Sequence, residues 1–191
     1  MIASYKVLSA GGSGPDSDIA AAIVQAADAG ARVINLSLGG YATTQTMRDA
    51  VAYAWGRNAV IVAGAGNDNT SDKFYPAALP NVMAVGATDA NDARSAASNF
   101  GDWVTLMAPG QNIIVPKMGG SYGAVSGTSY SAPQVAGLAG LILSGNPSLT
   151  NQQVVDLIVS NVDDLGAAGR DSTFGYGRIN ACKALKAAVP S

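Results

Sequence analysis

The stretch SGTSYSAPQVAG, Ser126 to Gly137, sets one serine, Ser129, between a glycine turn and a long apolar run. Gly123 and Gly127 allow a close approach of the chain to a ligand. Thr128 and Ser129 stand where the run would begin a helix. Free backbone N–H groups and the positive end of the helix dipole then point outward beside the hydroxyl. Such donors suit a developing oxyanion. Pro133 is tolerable only near a first turn, which fixes where the helix starts. The same residues also read as a plain Ser/Thr cap on a core helix. The 191 residues contain no histidine, so a serine nucleophile here would lack its commonest base.

A second candidate lies in VIVAGAGNDN, where Asn67 leaves an apolar run. A side-chain amide donates to an oxyanion without titrating. An Asn after a strand is also an ordinary turn residue. Other chemistries fit less well. Gly12-x-Gly14 is half of a dinucleotide fingerprint, but Ser17 fills the third glycine position. The next apolar run ends in Asn35–Ser37, without the ribose-binding acid. A hydrolase nucleophile elbow needs glycine two residues after the serine, and position 131 is Ser. Without His, Glu or paired Cys, neither a metal site nor any cofactor is expected.

Composition narrows the class. Hydrophobic residues make up 48% and charged ones 13%, against a usual ~25% charged. Net charge is −2, so no basic face for nucleic acid is expected. No apolar run reaches the ~18 residues of a membrane span. Residues 1–191 are expected to form a single domain. The one cysteine, Cys182, reads as a buried small residue of a late helix. MIASYKVL has no secretory-signal pattern, so the chain does not give its compartment.

The elements that must position these residues alternate. Strands are expected at Ile2–Leu8, Val33–Ser37, Ala59–Ala63, Val82–Ala87 and Val104–Ala108. Helices are expected from an Asp16 or Ser17 cap to Ala29, over Thr43–Arg57, over Thr128–Ser144, from a Thr150/Gln153 capping box to Ser160, and over Asn180–Ala188. The alternation predicts an α/β fold with a parallel sheet. Ligands then bind at the carboxyl ends of the strands, where GGSG, SLGG, GAGN and SGTS stand.

Together these stretches resemble the subtilisin family of serine proteases. GTSYSAPQVAG is similar to the family's serine signature, VINLSLGG to its cleft-lining strand, and VAGAGNDN to its oxyanion loop. YPAALPNVMAVGA and VTLMAPG resemble two further segments in register. The resemblance implies a parallel sheet flanked by helices, and cleavage of extended peptide or protein substrates. It implies Ser129 as nucleophile, and Asn67 with the Ser129 N–H as oxyanion donors. Ser37, Leu38 and Gly39 match one wall of the specificity pocket and cleft; Gly64 and Gly66 match the other. Gly12, Ser13 and Gly14 match the edge that pairs with substrate, and Leu8 and Ile19 would shape apolar subsites further along. Glycines at 39, 64 and 66 suggest a pocket open to large apolar side chains. Family members are commonly secreted.

The departures carry expectations too. In the family the catalytic Asp and His precede the segment resembling Ile2–Leu8, about a third of a catalytic domain, so the sheet is expected to lack its N-terminal strands. A homodimer or a complementing N-terminal chain would cover the exposed edge. Tyr130 and Gln134 stand where Met and His are usual in the serine signature. Thr105 replaces an Asp that holds calcium in many relatives, so no metal is expected beside Ala77, Leu79 and Val82. Three functions remain open: an endopeptidase whose base comes from elsewhere, a non-catalytic peptide binder, and a reduced hydrolase of esters using Lys117, Lys6 or an Asp as base.

Overall fold

The computed structural model describes residues 1–188. Among them, α1 (Asp16–Asp28), β1 (Val33–Leu36), α2 (Gln45–Gly56), β2 (Val60–Gly64), β3 (Val82–Thr88) and β4 (Leu106–Pro109) come first. A hairpin follows, β5 (Ile113–Pro116) and β6 (Tyr122–Val125), then α3 (Thr128–Gly145), α4 (Asn151–Val159) and α5 (Ala181–Ala188). β1 to β4 form a parallel sheet in chain order, and β5 pairs with β6 antiparallel.

Strand alternation builds two cores. Ile61 and Ala63 face α1 and α2, against Ile19, Ile23, Met47 and Val51. Val60 and Val62 face α3, against Val135, Leu138 and Ile142. β2 is therefore buried on both faces, which is why VIVAG reads as a continuous apolar run. The α/β expectation holds: the sheet is parallel and flanked by helices on both faces.

Several local expectations change. Ile2–Leu8 is not a strand: its alternation finds no pairing partner among the described residues, and Ile2 is fully exposed. α1 starts at Asp16 after Pro15, with no side-chain cap; Asp16 and Asp18 instead lie in its first turn, where the helix dipole favours them. Cys182 is exposed. α5 buries Ala184 and Ala188, four apart on one stripe, and position 182 falls on the opposite face. The β5–β6 hairpin was not expected; its turn uses Gly119 and Gly120 at φ 83° and 79°.

Candidate active site

Parallel pairing puts the exits of β1 and β2 at one end of the sheet, since Leu36 is in register with Ala63. α3 begins above them. Thr128, the first residue of α3, is buried, and its Oγ1 accepts the Gly66 N–H at 3.0 Å. A Cβ on Gly64 would meet Thr128 at 3.1 Å, so glycine there lets the helix start rest on the strand end.

The turn after β2 is held from behind. Gly66 has φ 98°, in the region glycine favours, and a Cβ there would strike the Asn99 amide at 2.4 Å. Buried Asn99 donates to the Ala65 carbonyl at 2.9 Å and accepts the Asp68 and Thr70 N–H groups at 2.9 and 3.3 Å. This presents Asn67 at the surface. Asn67 Oδ1 accepts the Thr128 N–H at 2.8 Å. Because that backbone group can only donate, the atom facing it is the oxygen, and Nδ2 has no hydrogen-bond partner among the described residues.

Ser129 is half-buried in the first turn of α3. Its hydroxyl makes one hydrogen bond among the described residues, a long 3.4 Å contact to the Ser37 carbonyl. The Ser37 hydroxyl donates to the Ser129 carbonyl at 2.9 Å and accepts from the Asn35 amide at 3.0 Å. Lys117 stands on the hairpin, its side chain against Gly123. Gln134 donates to the Pro109 and Tyr130 carbonyls at 2.7 and 2.8 Å.

Ser129, Asn67, Ser37, Gly64 and Gly66 thus converge at the strand exits and the start of α3. Gly12, Ser13 and Gly14 line a neighbouring cavity of about 370 Å³ together with Leu8, Ile19, Ser37, Leu38 and Gly39. Ser129 and Asn67 are not among its lining residues. The Phe74 ring lies against both Gly39 and Gly66, the glycines expected to bound an open slot. Tyr41 stacks edge-on against Phe74, and its hydroxyl donates to Asp68 Oδ2 at 2.5 Å. The bond to that carboxylate holds the Tyr41 phenol above its usual pKa.

Thr128, Asn99, Phe74 and Tyr41 were missed by sequence reasoning. Thr128 had a signal, its place directly before the candidate serine. The other three act through distant partners, which local spacing does not reveal. At Thr105, the hydroxyl accepts the Ala84 N–H at 3.0 Å.

The Subtilase family model matches residues 1–177. The chain belongs to the subtilase family. A subtilase similar to it is the thermophilic serine proteinase of Bacillus sp. (strain AK1), 44% identical over 185 residues, or 96% of this chain and 45% of that protein. Thermitase of Thermoactinomyces vulgaris is 40% identical, covering 97% of this chain and 65% of thermitase. The chain therefore spans about half to two thirds of the length of these two relatives. Among solved structures, a lanthipeptide protease superposes with TM-score 0.89 at 27% identity, covering 96% of this chain and 69% of the other. The shared fold is a parallel sheet flanked by helices.

Proposed function

We propose that residues 1–191 are the serine-bearing part of one subtilisin-type endopeptidase domain that cleaves extended peptides, with a base that comes from outside these residues. Ser129 Oγ attacks the peptide carbonyl carbon. The resulting oxyanion takes hydrogen bonds from Asn67 Nδ2 and the Ser129 N–H. Collapse expels the amine, and water then releases the acyl group from Ser129. Gly12, Ser13 and Gly14 pair with the substrate backbone, while Ser37, Leu38, Gly39, Gly64 and Gly66 bound its side chain.

One observation carries this reading. Asn67 Oδ1 accepts the Thr128 N–H at 2.8 Å, which ties the Asn67 side chain to the residue before Ser129. An oxyanion donor works because it is positioned before charge develops.

The proton of Ser129 needs a destination. The Ser37 carbonyl accepts its hydrogen bond, but a backbone carbonyl is far too weak a base to take a proton. Alone, the chain retains the oxyanion donors and the cleft, which leave about 10³–10⁴-fold catalysis over water when a triad is broken. Peptide amides are too inert for that to register; activated esters are not. The test is ester hydrolysis and casein cleavage by purified chain, with Ser129→Ala as control. Slow ester turnover lost in the variant, without casein cleavage, supports the reading.

A second reading, peptide gripping without turnover, is favoured by the same bond, because the Ser129 hydroxyl has no basic partner among the described residues. Peptide binding with no ester turnover would favour it, whereas ester hydrolysis unchanged by Ser129→Ala would mean a contaminant or a different site.

A completing partner also belongs to the proposal. β1 pairs only with β2 among the described residues, so its other edge is open to a complementing N-terminal segment or a second copy. Sedimentation of a clean monomer without dye-binding apolar surface would contradict the second-copy form.

A further inference from the structure

The two glycine walls beside Ser129 share one occupant. A Cβ built on Gly39 would lie 2.4 Å from Phe74 Cε1, and one built on Gly66 would lie 3.1 Å from Phe74 Cγ. The same ring is therefore flush with the backbone of both loops and bridges the gap between them. It is braced on a further side. The Tyr41 ring meets it edge-to-face, with centroids 5.2 Å apart and planes at 77°. Tyr41 is in turn tied by its hydroxyl to Asp68, the residue after Asn67. The neighbouring cavity of about 370 Å³ does not relieve this crowding, since neither Phe74, Gly64 nor Gly66 lines it.

We propose that Phe74, latched by Tyr41 and Asp68, is a specificity-determining residue: it floors the side-chain slot and limits it to small side chains, Ala, Gly or Ser, on the residue whose carbonyl Ser129 faces. This rests on the reading of Ser129 and the two glycine walls as a peptide cleft. The physical reason is volume. A methyl group needs little of the space beside the ring. A phenyl group needs the space that Phe74 fills, and moving Phe74 requires breaking its contact with Tyr41. Glycine at 39 and 66 thus serves to seat an aromatic ring of the protein itself.

The test uses the full chain and does not depend on turnover. N-acetylated tetrapeptides that differ only in a final Ala or Phe are titrated by calorimetry. The Ala-ended peptide is expected to bind about tenfold or more tightly, the scale of discrimination a sterically limited apolar pocket provides. Phe74→Ala should raise affinity for the Phe-ended peptide by a similar factor, so that the preference for the Ala-ended peptide is lost. Tyr41→Phe keeps both rings and frees Asp68; it should raise Phe-ended affinity in part. If Phe74→Ala does not fold, the wild-type ratio and Tyr41→Phe decide the matter. Equal binding of both peptides by wild type, or a ratio unmoved by either variant, overturns the inference and leaves the cleft reading standing. Binding of neither peptide by any form overturns the cleft reading and this inference with it.

Discussion

Ser37 donates its hydroxyl to the Ser129 carbonyl at 2.9 Å, a carbonyl that helix α3 leaves unused. The residue four positions on, which would normally supply the helical N–H, is Pro133, and proline has none. The proline inside α3 thus frees one acceptor in its first turn. The loop after β1 takes that acceptor and is pinned to the residue that bears the candidate nucleophile.

This relationship predicts coupling between distant substitutions. Ser37→Ala should cost about 1 kcal/mol in wild type, the usual net worth of one hydrogen bond. In a Pro133→Ala background, residue 133 gains an N–H that competes for the Ser129 carbonyl. Ser37→Ala should there cost close to nothing. A double-mutant cycle from denaturant melts reads the difference directly. Additive effects would mean that Pro133 does not leave this carbonyl to Ser37.

Thr128 should behave as a buried staple. Replacing it with Val removes the acceptor of the Gly66 N–H and leaves that group unsatisfied. The expected loss is about 1–3 kcal/mol, or several degrees in melting temperature for a domain of this size. Thr128→Ser keeps the hydroxyl and should lose much less. A larger loss in Thr128→Ser than in Thr128→Val would point to the methyl group rather than the hydrogen bond.

Much of this arrangement was legible in the sequence where the determinants are local. The Thr150/Gln153 capping box ahead of α4 is formed in both directions, because its four residues carry all its geometry. The apolar runs of β2 and β3 announce strands buried on both faces. Ser129 and Asn67 could be singled out because one stands two residues after Gly127 and the other directly after Gly66, each at an element boundary. Non-local consequences were not legible. Nothing near Phe74 in sequence says that its ring rests on Gly39 and Gly66. Asn99 looks like any polar loop residue until its three backbone partners are known. Ile2–Leu8 has the alternation of a strand, but pairing needs a neighbour as well as a pattern.

Asn67 separates folding from chemistry. Asn67→Asp keeps an oxygen facing the Thr128 N–H, so the fold should survive with little change in melting temperature. It removes the donor that would face the oxyanion. Ester turnover should fall by up to about 10²–10³-fold, the range for loss of one oxyanion donor. Unchanged turnover in a folded Asn67→Asp variant would remove Asn67 from the proposed site.

Acid should loosen the junction between α5 and the loop before it. Lys183, Arg178 and Asn180 all donate to the Asp163 carboxylate, which holds its carboxyl well below the usual range. A depressed folded pKa contributes stability that is complete above the unfolded value of ~3.9 and declines below it. It is gone once the folded carboxyl is also protonated. Melting temperature should therefore hold down to about pH 5 and fall at lower pH. Asp163→Asn should start lower and fall less steeply through that acid window. Parallel acid profiles for the two proteins would show that other carboxylates dominate.

The central claim is that Ser129 has its oxyanion donors within this chain but not its base. The direct measurement is casein cleavage by the purified 191-residue chain, alone and with an added N-terminal segment supplying the Asp and His of a subtilase. The account predicts no cleavage by the chain alone and cleavage on complementation, abolished by Ser129→Ala. Robust cleavage by the chain alone, lost in Ser129→Ala, would contradict it and place a base among these residues.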